Sequence, residues 1–419
     1  MIKEKFSKLF LAFFILSSVI ILYTTENYKY LNSKTFFVLF TINIFFVFIF
    51  FLKKFRFIIY VNFCIFFILI FFSNLFLYLR NPAQISINQK YEFIKNNKLY
   101  PDVPPITHLK EKNLTLLPLS GLSNVYTVTT NESGYWDTFY SDEYGFNNDN
   151  GQQERVKNSK YKKLIFLGDS MTMGSGVYRN ENFVSLLNNN KNIDALNLGY
   201  GGNSFLLSLA TYREYGKNIK NAKVFLCYYE GNDFFEFELE EKNSRILRQY
   251  FDKDFSQNLI NQNQVKDEIV KQKLEKEIKK INNENDNLQI FINEIIKLGQ
   301  IRKIIGILNN KKEYYAFNDE NFLQFDKIIK ILKKDINESN SELIFVYVPA
   351  REHFFWGNPY EKPYKSVLKI INENNIQTID LYEELSKSKN PLTYYPSDIM
   401  RHFNAKGHKK IYDILINKI

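Results

Sequence analysis

The stretch Lys163-Leu-Ile-Phe-Leu167-Gly168-Asp169-Ser170 decides the fold that we expect for this chain. Its apolar part predicts a short buried strand, and Gly168 permits a tight turn into a helix. Four more β-rich runs alternate with longer helical stretches: Ile193–Leu198, Lys223–Tyr229, Glu342–Val348 and Gln377–Leu381. Strands that alternate with helices predict an α/β fold, a parallel sheet covered by helices on both faces.

Ser170 follows the first predicted strand, and ligands of open parallel sheets bind at the carboxyl ends of their strands. A Ser hydroxyl is a weak nucleophile, so catalysis would require a neighbouring base. The same position also suits a Ser that merely caps a helix. Ser170 is therefore a candidate nucleophile, with a helix cap as the alternative.

Two loops rich in Gly and Asn follow the next two strands: Asn197-Leu-Gly199-Tyr-Gly201-Gly202-Asn203-Ser204 and Glu230-Gly231-Asn232-Asp233. Backbone N–H groups near glycines and an Asn amide are suitable donors to an oxyanion, and the loss of one donor costs roughly 3 kcal/mol. An ordinary turn is the alternative for each loop. The first loop lacks the Gly-x-Gly-x-x-Gly spacing of a dinucleotide site.

Two of the four histidines lie in the segment Asp398-Ile-Met-Arg-His402-Phe-Asn404-Ala-Lys-Gly407-His408, before a predicted last helix. His402 is a candidate base for the Ser170 proton, and Asp398 is a candidate to orient its imidazole. A surface or core histidine is the alternative.

In this order, the four segments resemble the sequence blocks of the SGNH (GDSL-type) hydrolase superfamily. The resemblance covers about Lys162 to Ile419 and implies a flavodoxin-like, three-layer α/β/α fold without a cofactor or metal. It implies Ser170 as nucleophile, His402 as base and Asp398 as a provisional third member of a triad. The implied oxyanion hole consists of the N–H group of Ser170, Gly202 and Asn232.

One position departs from the family pattern. The family has an Asp three residues before the His, where this chain has Ile399, and Asp398 is four residues before His402. Three arrangements stay open: a triad that includes Asp398, a Ser170–His402 dyad, or an imidazole oriented by a backbone carbonyl.

Five further polar residues lie in or near these segments. Asp169 and Asp233 are expected to tie their loops together. His408, Arg351 and His353 are candidates to line a substrate pocket, with a surface or core position as the alternative.

Three apolar runs lie N-terminal to the predicted α/β domain, at about Leu9–Tyr23, Thr35–Leu52 and Phe57–Leu79. The second and third are long enough to cross a bilayer as helices. The first would suit a signal peptide, but no small-x-small cleavage site follows it, which favours a retained helix. Three buried helices of a soluble protein are the alternative.

Basic residues indicate how these helices would be oriented. They precede the first run (Lys3, Lys5, Lys8) and fill the loop after the second (Lys53, Lys54, Arg56). The positive-inside rule places both groups in the cytoplasm, so three crossings would put everything after Arg80 outside it. We therefore expect a multi-pass protein of the bacterial inner (cell) membrane with an extracytoplasmic catalytic domain.

The expected domains are transmembrane helices at 1–80, a connector at 81–160 and the α/β domain at 161–419. In the connector, Val125–Thr130 and Thr138–Tyr140 are candidate strands, and Pro118–Asn148 resembles a segment found in membrane-bound bacterial members. An insert at about Glu236–Lys334 predicts exposed helices, and its charged run Lys266–Asn287 predicts a solvated helix face.

Composition limits the partners. The net charge of +10 comes from scattered lysines without an interleaved aromatic stripe, which argues against nucleic acid. Cys64 and Cys227 lie in separate apolar runs, so no disulfide is expected. The lipid bilayer and an ester substrate are the expected partners, and protein partners stay open.

The leading hypothesis is ester hydrolysis or O-acyl transfer through an acyl-serine, on an envelope or extracellular substrate. The family resemblance implies acetylated carbohydrate as a substrate class. A catalytically inactive, membrane-anchored protein that binds glycans or an assembly partner on the same fold is the alternative. A metallophosphoesterase is disfavoured because it needs several His ligands, and none lies near the first three segments.

Overall fold

The computed structural model describes Lys8 and residues 55–80, 93–111, 114–282, 295, 298, 299, 301, 302, 316–354, 360–396 and 401–419. The chain divides into two compact units, Met1–Leu79 with Glu294–Gln300, and Arg80–Asn293 with Ile301–Ile419. The predicted apolar runs Leu9–Tyr23 and Thr35–Leu52 lie outside the described residues. The three-part division predicted from the sequence stays a prediction.

Helix α1 (Arg56–Arg80) belongs to the first unit up to Leu79 and includes the third predicted apolar run. Its segment Phe57–Leu79 has 23 residues and a mean hydropathy of 2.3, and it is the one helix of the described part of the chain that could span a bilayer by length and composition. Phe66 and Phe72 expose more than half of their surface. A single helix of this kind is weak support for an anchor, and it does not support the predicted three-span topology.

The second unit contains eight strands among its described residues. A small sheet consists of β1 (Tyr100–Pro101), β2 (Tyr126–Val128) and β3 (Thr138–Tyr140). The main sheet consists of β4 (Lys162–Gly168), β5 (Ile193–Asn197), β6 (Ala222–Tyr229), β7 (Glu342–Val348) and β8 (Gln377–Asp380).

The main sheet is parallel and has the order β5-β4-β6-β7-β8. Counted within the sheet, this order is second, first, third, fourth, fifth, which is the flavodoxin-like order. All five strands lie within one residue of their predicted bounds. The predicted fold class is therefore confirmed by the strand order itself.

Helices follow the strands in the expected alternation. After α1, the chain forms α2 (Gln152–Asn158), α3 (Ser170–Met173), α4 (Phe183–Asn188), α5 (Phe205–Thr211), α6 (Asp233–Glu236), α7 (Asn263–Asn282), α8 (Asp319–Glu338), α9 (Glu361–Glu373), α10 (Leu381–Ser386) and α11 (Ala405–Ile416). Short 3₁₀ turns occur at Pro105–His108, Arg179–Glu181, Leu247–Phe251, Arg351–Phe354 and Pro391–Tyr394, and π-helical turns at Tyr212–Gly216 and Phe237–Glu241.

Side chains of β4 point alternately to the two faces of the main sheet, and each face is covered by a layer of helices. Ile165 and Leu167 join one buried cluster with α5, α8 and α9. Leu164 and Phe166 join a second cluster with α4, α10 and α11 on the opposite face. Apolar side chains thus cover the sheet on both sides, and the carboxyl ends of its strands stay available for a site.

The predicted insert is less exposed than its composition suggests. Helix α8 buries Phe325, Ile329 and Leu332 against the core, because its apolar residues recur at helical spacing. The prediction of a solvated face is also wrong for Lys266, which is fully buried at the start of the charged run. Its ammonium donates to the carbonyls of Gly121 (2.7 Å) and Tyr144 (3.0 Å), so the buried charge is hydrogen-bonded.

The connector is part of the second unit. The two strands predicted there are observed as β2 and β3, an antiparallel pair. Beyond β3, the Asn148 amide bonds to both backbone groups of Asn197 at 2.8 Å, donating to its carbonyl and accepting from its N–H group. The connector is therefore fastened to the carboxyl end of β5.

Candidate active site

Ser170 lies at the carboxyl end of β4, where the backbone leaves room only for glycine before the turn. Gly168 has a φ of +146°, and a Cβ there would lie 2.6 Å from the carbonyl oxygen of Cys227. Asp169, not Ser170, caps α3, because its carboxylate accepts the N–H group of Met171 at 2.9 Å. The cap alternative for Ser170 is thereby removed, and its hydroxyl is left for another partner.

That partner is His402, in the segment before α11. Its Nε2 lies 2.7 Å from the Oγ of Ser170, which is hydrogen-bonding distance between a nucleophile and its base. Asn404 caps α11 by accepting the N–H group of Gly407 at 2.9 Å, and Phe403 is fully buried. The cap and the buried ring fix the chain on one side of the imidazole.

Glu132 contacts the other side of the imidazole and was missed by sequence reasoning. Its Oε1 lies 3.0 Å from the Nδ1 of His402, a close ion pair that is not aligned as a straight hydrogen bond. Glu132 lies in the turn between β2 and β3, 270 residues from His402, and no local motif marks it. Asp398, the predicted third member, lies outside the described residues, and so does Ile399.

The charges of this pair depend on each other. Burial alone would lower the pKa of His402, but the charge and contact of Glu132, with the charges of Asp169 and Asp137, raise it to about 9. Burial alone would raise the pKa of Glu132, but the charge of His402 and hydrogen bonds from Arg401 and His402 lower it to about 2. At neutral pH the pair is therefore an imidazolium and a carboxylate, and the basic form of His402 gains population as pH rises.

The two predicted oxyanion loops converge on one carboxyl group, that of Glu236. The amide of Asn232 donates to its Oε1 at 2.9 Å, and a Cβ on Gly202 (φ +74°) would lie 3.7 Å from the same oxygen. Burial, with the charges of Asp169 and Glu241, raises the pKa of Glu236 well above its ordinary value. The Asn232 amide therefore donates one of its two N–H groups to a carboxyl group that favours its neutral form, and the second N–H group is the one left to serve an oxyanion.

Asp233 and the three predicted pocket residues make contacts that hold the fold together. Asp233 accepts the N–H group of Tyr229 at 3.0 Å, which ties its loop to β6. His408 is buried and stacks on Phe183 with ring centroids 5.8 Å apart. His353 is buried against Tyr382, with ring centroids 3.7 Å apart.

Arg351 is also buried and pairs with Glu352 at 3.0 Å, so none of the three pocket candidates has a solvent-facing side chain. Within the described ranges, no group of three or more His, Cys, Asp or Glu side chains is arranged to hold a metal ion.

The chain is similar to known proteins among the solved structures. No protein-family model matches the chain, and no curated protein does. A member of the lipolytic protein G-D-S-L family from Veillonella parvula is 12% identical, with 61% of this chain and 96% of that chain covered and a TM-score of 0.33. Axe2, an acetylxylan esterase from Geobacillus stearothermophilus, is 16% identical, with 63% and 95% covered and a TM-score of 0.34.

The acetyl xylan esterase AlAXEase is 13% identical, with 61% of this chain and 98% of that chain covered and a TM-score of 0.33. The activity proposed below rests on the geometry of this chain's own residues.

Proposed function

We propose that this chain is a serine-dependent enzyme that cleaves esters through an acyl-serine intermediate. The observation that carries the proposal is the 2.7 Å contact between Ser170 Oγ and His402 Nε2 at the carboxyl edge of a parallel sheet. A hydroxyl in contact with an imidazole, itself paired with a carboxylate, is the arrangement that activates a serine nucleophile. Ligands of such sheets bind at this edge.

The reaction would proceed in two halves. Ser170 Oγ attacks the ester carbonyl while His402 Nε2 takes its proton. The tetrahedral intermediate then collapses, the bond to the alcohol oxygen breaks, and His402 returns the proton to the leaving alcohol. In the second half, His402 takes a proton from water as the water oxygen attacks the acyl-serine carbonyl. The bond to Ser170 Oγ then breaks, His402 returns the proton to that oxygen, and the acid is released.

A sugar hydroxyl in place of water would make the chain an O-acyltransferase. We extend the proposal to acetyl esters of an envelope or extracellular glycan, which the sequence resemblance implies. The test is turnover of p-nitrophenyl acetate by the full chain, with and without an added glycan. Release of nitrophenol together with acetate would support hydrolysis, and acetylated glycan would support transfer. A chain that retains glycan but never releases nitrophenol would instead be a binding protein.

We also propose that α1 anchors the chain in a membrane. Its apolar, largely exposed surface and the basic residues near its start support this placement. The full chain should stay with membranes through alkaline carbonate washing, and externally added protease should digest the domain that carries Ser170 in intact spheroplasts. Release by carbonate would contradict the anchor, and full protection from protease would contradict the extracytoplasmic location.

A further inference from the structure

The carboxylate that faces His402 comes from the connector and not from the segment that carries the histidine. Glu132 Oε1 lies 3.0 Å from Nδ1 of His402, while Nε2 on the opposite side of the ring contacts Ser170. A carboxylate at Nδ1 stabilises the tautomer that has its proton on Nδ1 and leaves Nε2 free to accept the serine proton. The placement therefore puts a carboxylate at ion-pair distance from Nδ1, on the side of the ring where the acidic member of a triad lies.

The second oxygen of Glu132 holds the chain that carries the imidazole. Oε2 accepts the backbone N–H groups of Arg401 and His402, each at 3.1 Å. One carboxylate thus contacts both the ring and the backbone of His402. Its side chain is only 17% exposed, so water screens its charge less than it would at the surface.

The turn that carries Glu132 is itself fastened on both sides. The hydroxyl of Ser133 donates to the carbonyl of Gly176 at 2.6 Å, and the Asp137 carboxylate accepts the N–H groups of Gly176 (3.0 Å) and Thr130 (2.8 Å). A Cβ on Gly176 would lie 3.3 Å from the Cβ of His402. The turn between β2 and β3 is therefore fixed against the segment after α3, beside the imidazole.

We propose that Glu132 is the positioning residue of the Ser170–His402 pair, the acidic third member that the sequence assigned to Asp398. The proposal rests on the proposed ester chemistry of Ser170 and adds that the connector is a required part of the active site. The Glu132 side chain would orient the imidazole of His402 and stabilise the imidazolium that forms when Ser170 attacks.

Replacing Glu132 by Gln keeps the size and hydrogen-bond acceptor of the side chain and removes its charge. We expect Glu132→Gln in the full chain to lower kcat/KM for p-nitrophenyl acetate by about 10²- to 10⁴-fold, mostly through kcat. Glu132→Asp, which retains the charge, should keep more activity than Glu132→Gln. The matched control is Glu143→Gln, another connector glutamate, which contacts the N–H group of Gly151 and should behave as the wild type.

The pH profile separates this role from a merely structural one. The ionisable groups around His402 are Glu132 and Asp137 from the connector, Asp169 from the turn after β4, and His408 from α11. Activity requires neutral His402, so it should rise with pH through a pKa raised to about 9. The charge of Glu132 is the foremost cause that raises this pKa. The rising limb of the pH–activity profile should therefore move to lower pH in Glu132→Gln, and it should stay at high pH in Glu132→Asp.

For a folded Glu132→Gln variant, two results would overturn the proposal. One is a Glu132→Gln variant that is within about threefold of the wild type and has an unmoved pH limb. The other is the same loss and the same shift in Asp398→Asn with none in Glu132→Gln. If Glu132→Gln fails to fold, as circular dichroism would show, the limb of Glu132→Asp decides: a limb moved to near 6.5 overturns the proposal. Full activity of Ser170→Ala would instead defeat the proposed function itself.

Discussion

Ser170→Ala should reduce kcat/KM for p-nitrophenyl acetate by about 10⁴-fold or more, because no acyl-serine can form without the hydroxyl. The fold should be retained, since the Asp169 carboxylate caps α3 and does not depend on the Ser170 side chain. Steady-state hydrolysis by the full chain measures the loss, and thermal unfolding checks that the variant is folded.

Ser185→Ala, which removes a hydroxyl from α4, is the matched control and should keep wild-type activity. A Ser170→Ala variant that is folded and retains more than about a tenth of the wild-type rate would show that another group is the nucleophile. Such a result would remove the basis for every role proposed for His402 and Glu132.

His402→Ala should cause a loss of similar size, because the Ser170 hydroxyl is a poor nucleophile without a base. The double variant Ser170→Ala/His402→Ala should be no slower than the slower single variant, since residues that act as a unit have strongly non-additive effects. A double-mutant cycle of kcat/KM values measures this coupling.

The other three histidines are buried, so the chain offers no exposed His as a matched control for this cycle. His402→Gln serves instead, because it keeps a polar side chain of similar reach and removes the base. Losses that simply multiply in the double variant would contradict a shared step, and a His402→Gln variant with wild-type activity would contradict the role of base.

The sheet and the nucleophile could be predicted from the sequence because local patterns determine both. The run before Ser170 has the length and apolar character of a buried strand, and β4 extends only one residue beyond it at each end. Motif order brought Ser170 and His402 together without any structural information. Their contact depends on the strand order, which the alternation of strands and helices already restricts.

The contacts of three charged side chains could not be predicted in the same way. Glu132 reaches His402 through the β2–β3 turn, a tertiary contact across most of the chain with no local signature. Glu236, which binds the Asn232 amide, looked like the start of a charged insert. Lys266 shows the same limit, because a charged residue in a charged run is predicted to be solvated unless the carbonyls that satisfy it are known.

The most direct test of the central claim is to find where a fluorophosphonate attaches to the full-length chain. The probe's phosphorus reacts with an activated serine oxygen, its fluoride leaves, and mass spectrometry of the digested chain locates the adduct. The Ser170–His402 contact predicts one adduct, on the peptide that contains Ser170, absent in Ser170→Ala and much slower to form in His402→Ala. An adduct on a different residue, or equal labelling of Ser170→Ala, would contradict the assignment of Ser170 as the nucleophile.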